Sequence, residues 1–194
     1  MTERLSVTKK LRNRHQYDME TRETPDMPAT LNIRAATLAD VQAIGAFINE
    51  LGYGARRDAL LGVLGPMLED RRHIVLLGEG EDGGVVACLS LSSRPVLRLQ
   101  GWIGTIEEFV VRPDVRDRGI GDRMLQSAQG LAAERGWGRL EALVTRRRES
   151  NRRGFLFAGG FVQADSVAYR WGLLEGRHQV PPILASEGRS PEAV

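Results

Sequence analysis

The sequence predicts a three-layer α/β domain, in which helices cover both faces of a central sheet. Its 194 residues contain short apolar runs typical of strands, and longer segments with apolar residues every three or four positions, typical of amphipathic helices. In chain order these patterns read β-α-α-β-β-β-α-β-α-β. This order differs from the regular alternation of strands and helices that builds a long parallel sheet.

The first part of the chain predicts one strand and two helices. Residues 31–35 alternate between apolar and polar positions, as in a half-buried strand. Thr37, with Asp40 three residues later, predicts a capping box at the start of the first helix. The second helix is predicted over residues 56–69 from its apolar face, although its internal glycines and proline weaken the pattern.

The central part predicts a hairpin, a further strand and a long helix. Apolar runs at 73–77 and 85–92 flank a glycine-rich segment, which is typical of a hairpin. A strand is predicted over 101–111. The period then changes to that of a helix from 119 to about 135, and Gly136 is predicted to end this helix.

The last elements are a strand at 140–145, a short helix at 149–158, and a final strand or pair of strands at 161–171. Residues 1–29 are polar and without sustained periodicity, and we expect a flexible leader there. A Pro- and Gly-rich end predicts a flexible tail over 174–194, which leaves residues 30–173 as one domain.

Composition argues against several classes of protein. No apolar run approaches the roughly 18 residues that cross a bilayer, and there is no apolar signal segment, so a cytoplasmic protein without a membrane partner is expected. A net charge of +2 gives no basic field for nucleic acid. The three histidines lack neighbours at ligand spacing, so no metal site is expected. Cys88, the single cysteine, is predicted to be a core residue.

The most informative segment is the turn between the strand at 101–111 and the next helix. Pro113 ends the strand. The turn itself consists of Arg116, Asp117, Arg118, Gly119, Ile120 and Gly121. Glycine accepts tight-turn φ values and, lacking a Cβ, lets a ligand reach the backbone. The first helical N–H groups lack partners and lie at the positive end of the helix dipole, so the turn predicts a pyrophosphate site.

Two other phosphate-binding motifs do not fit this turn. Met124 stands where a Rossmann motif requires its third glycine. A phosphate loop requires a lysine, and both lysines of the chain lie in the leader. A surface turn with incidental arginines is the remaining alternative, and the position of the turn between a strand and a helix favours phosphate binding over it.

The segment resembles the signature of the GNAT N-acetyltransferase superfamily, Arg/Gln-x-x-Gly-x-Gly/Ala after a V-x-P strand end. Residues 106–114 are similar to the central strand of that family, and the element order is similar from about residue 31 to residue 173. The resemblance implies a GNAT-like α/β/α fold with a mixed, mostly antiparallel sheet. It also implies an N-acetyltransferase that moves the acetyl group of acetyl-CoA directly to a primary amine, without a metal.

By this resemblance, backbone N–H groups from Arg116 to Gly121 would bind the pyrophosphate of the coenzyme. Phe109, Val110 and Val111 would pair with its pantetheine arm as an added strand would, and one of their N–H groups would point at the thioester oxygen. Asn151 would be a further coenzyme contact.

Glu107 and Glu108 are the candidate bases, because they interrupt an apolar strand beside the expected thioester. A carboxylate there could take a proton from the acceptor ammonium, directly or through water, and could hold the cation beforehand. Strand alternation predicts opposite faces for the two side chains, so at most one enters the cleft unless a bulge intervenes. Glu107 is slightly favoured. The alternative is that both are ordinary polar positions on solvated faces.

The proton donor is harder to assign. Leu156 stands where similar proteins often carry a tyrosine, and it has no proton to give. Tyr169, Ser150 or water could substitute, or no dedicated acid is needed because a thiolate is a tolerable leaving group. Tyr53 lies between the first two helices, where family members often contact the acceptor, and is the candidate substrate residue.

We expect a small polar acceptor, such as an aminoglycoside, a polyamine, an amino acid or an aminoalkyl acid. A protein N-terminus or lysine is the enzymatic alternative. A non-catalytic acyl-CoA-binding regulatory module is the second class, because the tyrosine is missing. The resemblance also allows a homodimer.

Overall fold

The structure is a computed structural model that describes residues 30–144 and 153–165. Its regular elements are β1 (Asn32–Ala35), α1 (Val41–Glu50), α2 (Arg57–Glu69), β2 (His73–Glu79), β3 (Val85–Val96), β4 (Gly101–Val111), α3 (Ile120–Glu134), β5 (Arg139–Ala142) and α4 (Phe155–Ala158). All of them belong to a compact unit that ends at Val162. The leader, the tail and the limits of the domain stay predictions.

The five strands form one sheet in the order β1-β2-β3-β4-β5, so every strand lies beside its neighbour in the chain. Strands β1 to β4 are antiparallel, and β5 is parallel to β4. The mixed, mostly antiparallel sheet that the resemblance implied is therefore confirmed.

Two apolar clusters pack on opposite faces of the sheet. On one face, α1 and α2 cover β2, β3 and β4 through Ile44, Phe47, Leu64, Leu77 and Cys88. On the other face, α3 packs its buried side chains on β3 and β4, and residues of α4 lie against the same cluster. The predicted three layers are thus confirmed, and each cluster is one interface between a helical layer and the sheet.

The predicted start of the first helix is confirmed, with a one-turn 3-10 helix at Leu38–Asp40 leading into α1. Asp40 Oδ2 accepts hydrogen bonds from the Thr37 backbone N–H at 2.8 Å and from its hydroxyl at 2.9 Å. Arg34 on β1 binds both Asp40 and Glu79 on β2. The guanidinium of Arg34 holds the pKa of Asp40 well below its usual range. These contacts join β1, β2 and the start of α1.

The end of α3 follows the prediction. Gly136 has a φ of +65°, and the N–H groups of Gly136 and Trp137 donate to the carbonyls of Ala133 and Ala132. This is the hydrogen-bond pattern of a Schellman motif, in which a left-handed glycine ends the helix.

Some predicted limits are wrong. The strand β5 ends at Ala142 rather than at residue 145. Residues 161–165 form no strand, because the N–H of Phe161 donates to the carbonyl of Leu156 at 2.9 Å and closes the end of α4. Gly160, with a φ of +86°, is the left-handed residue of that closure. The remainder of the predicted final strand, 166–171, lies outside the described residues.

Within the described part of the chain, no helix is long and apolar enough to span a membrane. The same residues contain no group of three or more His, Cys, Asp or Glu side chains that could hold a metal ion.

Candidate active site

A β-bulge interrupts the pairing of β3 with β4. Ser90 lies opposite Glu108, and the next residue of β3, Leu91, lies opposite Ile106. Glu107 is therefore an extra residue in β4. Such an insertion changes the side-chain alternation of the strand at this point.

The bulge places both glutamates on one face of the sheet. The Ser90 hydroxyl donates to the carboxylate of Glu108, and the Ser92 hydroxyl donates to the carboxylate of Glu107. Ser90 and Ser92 alternate with Cys88, which belongs to the cluster beneath α1 and α2. Both carboxylates thus lie on the face that α1 and α2 cover. The opposite faces predicted from simple alternation are wrong, and the bulge is the reason.

Each carboxylate keeps one oxygen for another partner. Glu107 is exposed and Glu108 is half-buried. Ser92 binds Oε1 of Glu107, whereas Ser90 binds Oε2 of Glu108. Across residues 30–144 and 153–165, the second oxygen of each has no hydrogen-bond partner. Two neighbouring carboxylate oxygens on one face can hold an ammonium and accept its proton.

The pairing of β4 with β5 stops just before the glutamates. Strand β5 pairs with residues Ile103 to Ile106 only, so residues 107–111 continue along β4 beyond that ladder. The Arg112 N–H donates to the Val86 carbonyl at 2.8 Å, which sets the alternation of the β3–β4 ladder. By this alternation the N–H groups of Phe109 and Val111 point away from β3, whereas Val110 pairs with Cys88.

Arg116 braces the end of β4 against α1. Its Nε donates to the Val111 carbonyl at 2.9 Å, and its Nη2 pairs with the carboxylate of Glu50 in the last turn of α1. The Arg116 guanidinium is therefore already bound to Val111 and Glu50. At this position the turn would bind a ligand through its backbone N–H groups.

The turn after β4 uses two residues with left-handed backbone. Asp117 has a φ of +61° and Gly119 a φ of +74°. Glycine adopts such angles without strain, whereas aspartate does so at a cost of about 1–2 kcal/mol. Both oxygens of Asp117 lie 3.1 Å from Nη1 of Arg153, just before α4. Arg118 is exposed.

The start of α3 is open to a ligand. Gly119 is its N-cap, and no side chain in the described part of the chain caps the helix. The first backbone N–H groups of the helix, from Ile120 and Gly121 onward, therefore lack intrahelical partners and can donate to an anion. An open depression of about 740 Å³ adjoins this point. The residues that line this depression include Asp117, Arg118 and Ile120. Neither Glu107 nor Glu108 lines it, so the depression lies beside the turn and not beside the carboxylates.

The remaining candidates are distributed differently. Leu156 lies in α4 and packs against the cluster beneath α3. Tyr53 lies in the loop between α1 and α2, the two helices that cover the carboxylate face, and it is 47% exposed. Tyr169 and Asn151 lie outside the described residues. Ser90, Ser92 and Glu50 were not singled out from the sequence. Hydroxyls at alternate positions of an apolar strand are the signal that could have found the two serines.

Comparison with known proteins identifies the family. The sequence profile of the acetyltransferase (GNAT) family matches residues 47–156. The chain is 34% identical over 151 residues to the aminoalkylphosphonate N-acetyltransferase of Salmonella typhimurium, a match that covers 74% of this chain and 92% of that protein.

Solved structures share the fold. A transcriptional regulator from Bacillus halodurans has a TM-score of 0.66 and 20% identity, over 74% of this chain and 99% of that one. An aminoglycoside 6'-N-acetyltransferase from Acinetobacter baumannii has a TM-score of 0.63 and 18% identity, over 75% and 99%. The resemblance inferred from the turn after β4 is confirmed, and this chain belongs to the GNAT family of acetyltransferases.

Proposed function

We propose that this acetyltransferase moves the acetyl group of acetyl-CoA to the primary amine of a small aminoalkyl acid. The observation that carries the proposal is the pair of carboxylates, Glu107 and Glu108, on one face beside the part of β4 that β5 does not pair with and that no other strand of the described residues covers. The acceptor class is supported by the 34% identity to a protein named for aminoalkylphosphonates.

The described residues fit the coenzyme. The outward N–H groups of Phe109 and Val111 supply the donors that an extended amide-containing arm would pair with. The uncapped start of α3, with the backbone from Arg116 to Gly121, suits a pyrophosphate. The backbone of Val110 pairs with β3, so Val110 would border the coenzyme as part of the strand and not through its N–H. Asn151 stays a predicted contact.

In the proposed reaction, Glu107 or Glu108 accepts a proton from the acceptor ammonium, directly or through water. The neutral nitrogen then attacks the thioester carbonyl, forming the C–N bond. An N–H of Phe109 or Val111 stabilises the negative charge on the carbonyl oxygen. The nitrogen releases its second proton to water, the C–S bond breaks, and the thiolate takes a proton from water or from Tyr169, since Leu156 has none to give. The products are an N-acetyl amide and the free thiol.

Tyr53 is proposed to contact the acceptor. Its loop joins the two helices above the carboxylate face, so an amine held by the glutamates would lie beneath that loop. A phenol there can pack on an alkyl chain and hydrogen-bond its acidic group.

The test is thiol release from acetyl-CoA with a panel of amines: 2-aminoethylphosphonate, a polyamine, an aminoglycoside, an amino acid and a peptide with a free N-terminus. We expect the highest kcat/KM with the phosphonate. A higher value with the peptide would favour a protein acetyltransferase. Thermal stabilisation by acetyl-CoA without turnover of any amine would favour a non-catalytic binding module.

The role of the carboxylates is tested with Glu107→Gln and Glu108→Gln. At least one substitution should lower kcat/KM by about 100-fold, because general-base catalysis contributes on that scale. Glu134→Gln, at an exposed position at the end of α3, is the matched control and should be neutral. Unchanged kinetics in both test variants would refute the proposed base.

Whether the enzyme is a homodimer is a separate prediction that size-exclusion chromatography can decide.

A further inference from the structure

Ser90 carries a buried hydroxyl in the middle of the sheet. Its residue is 4% exposed, and its neighbours Leu89 and Leu91 are fully buried. A buried hydroxyl needs hydrogen-bond partners, and both partners here belong to one residue. Ser90 Oγ accepts from the backbone N–H of Glu108 at 3.1 Å and donates to Oε2 of the same glutamate. This serine therefore holds Glu108 at its backbone and at its carboxylate.

Ser92 repeats the arrangement two residues along the same face. Its hydroxyl donates to Oε1 of Glu107. Each serine thus occupies one oxygen of one carboxylate. The second oxygen of each glutamate has no hydrogen-bond partner among the described residues, so it can bind the acceptor. An ammonium has three N–H donors, so it can bind both of the remaining oxygens together.

We propose that Ser90 and Ser92 are positioning residues for acetyl transfer. Each hydroxyl fixes the rotamer of one carboxylate, so that its second oxygen faces the acceptor amine. This inference rests on the proposed function, in which Glu107 and Glu108 bind and deprotonate the amine.

The physical reason lies in the length of the glutamate side chain. Glutamate has three rotatable bonds, and an exposed one such as Glu107 samples many rotamers unless a contact restricts it. A base that must be ordered during each encounter binds the amine less well than one already in place. A serine on the neighbouring strand orders the carboxylate without adding charge to the site.

The two serines differ in a way that separates positioning from folding. Ser90 also binds the backbone at the bulge, so its loss affects the strand itself. Among the described residues, the Ser92 hydroxyl binds only the carboxylate of Glu107. Ser93 provides a matched control on the same strand, because its hydroxyl faces away from the site and donates to the Arg72 carbonyl at 3.3 Å.

The kinetic test uses Ser92→Ala, Ser90→Ala and Ser93→Ala with the best amine of the panel. The first two variants should raise KM for the amine by about 10-fold, the effect of losing one hydrogen bond to a charged group. In Ser92→Ala, KM for acetyl-CoA should stay within about 2-fold, because the Ser92 hydroxyl binds a carboxylate and not the β4 backbone proposed to bind the coenzyme. Ser92→Thr keeps the hydroxyl and should restore the amine KM. Ser93→Ala should behave as wild type.

A second measurement needs no acceptor. Three-bond NMR couplings report whether the χ1 angles of Glu107 and Glu108 occupy one rotamer or average over several. We expect one rotamer in the wild type, averaging of Glu107 in Ser92→Ala, and one rotamer again in Ser92→Thr. A fixed Glu107 rotamer in Ser92→Ala would overturn the proposal.

An unchanged amine KM in both alanine variants, with Glu107→Gln or Glu108→Gln impaired, would also overturn it while leaving the proposed function intact. If no amine reacts at all, the proposed function fails. The couplings then still decide whether the serines hold the carboxylates.

Discussion

The ring of Phe155 packs directly on the backbone of Gly121. A Cβ added at Gly121 would lie 3.2 Å from Cε2 and Cζ of that ring. The same ring meets Phe109 edge to face, with centroids 5.6 Å apart and an interplanar angle of 60°. The missing Cβ therefore admits an aromatic side chain that links α3, α4 and β4 next to the turn.

Gly121→Ala should lower the free energy of unfolding by about 1–2 kcal/mol, because Phe155 must move to admit the methyl group. Gly130→Ala is the matched control. It lies in the same helix, and apart from the helix's own backbone no described residue comes within 4 Å of the added Cβ, so the alanine should raise the stability by about 0.5–1 kcal/mol. Urea unfolding of the two variants measures both effects. Equal stabilisation by the two alanines would show that the Phe155 contact does not restrict position 121.

Arg116→Lys should raise KM for acetyl-CoA by about 5-fold. Lysine cannot reproduce the fork that binds the Val111 carbonyl and Glu50 together, so the end of β4 loses its brace to α1. Stability should change by less than about 1 kcal/mol, since the Arg116 side chain is 45% exposed. Arg139→Lys makes the same chemical change at a comparably exposed, carboxylate-paired arginine of β5 and should leave KM for acetyl-CoA unaltered. A similar KM in the two variants would argue against the brace.

Asp40→Asn should destabilise the protein by about 1–2 kcal/mol at pH 7, because it removes the charge that Arg34 and Thr37 bind. The pKa of Asp40 is lowered in the folded state, so its contribution is complete above the ordinary carboxyl pKa of about 4 and is lost as the pH falls below it. The difference between wild type and variant should therefore narrow between pH 5 and pH 3 in urea unfolding.

Asp114→Asn is the control for that experiment. Arg112 also lowers the pKa of Asp114, but the Asp114 side chain is 62% exposed and solvent screens the pair. Its effect on stability should be smaller than that of Asp40→Asn at every pH. If the difference in unfolding free energy between wild type and Asp40→Asn did not change with pH, titration of the Asp40 carboxylate would be excluded as its cause.

Cys88 should not react with Ellman's reagent at pH 8 in the folded protein. Burial raises the pKa of its thiol to about 12, so very little thiolate forms, and the side chain is sealed between β3 and the helices. Guanidinium should expose one thiol per chain. Rapid modification of the native protein would contradict this burial. The result matters for the amine panel, because the thiol signal then comes from the coenzyme alone.

Much of the fold could be predicted because its signals are local. The limits of β4 follow from one apolar run, and Gly136 ends α3 because only a residue tolerant of positive φ fits there. The described part of the predicted final strand, residues 161–165, is wrong because of a contact that the apolar pattern does not show. An alternating pattern does not reveal that the Phe161 N–H is already used to close α4.

The site was predicted less completely. Glu107 and Glu108 were identified as candidates, but not their shared face. The spacing of apolar residues in the sequence does reflect the bulge: Ile106 and Phe109 both contact the cluster beneath α3, although they are three positions apart rather than two or four. Ser90 and Ser92 could not be assigned to particular glutamates, because the sequence does not show which residues of β3 and β4 lie opposite each other.

The agreement between sheet order and chain order has a consequence for folding. Antiparallel neighbours joined by short turns need little loop closure, so β3 and β4 can pair early and bring the serines to the glutamates. The parallel pairing of β5 must wait for the crossover through α3. We therefore expect the serine–glutamate contacts and the edge of β4 to form before the pyrophosphate turn at the start of α3.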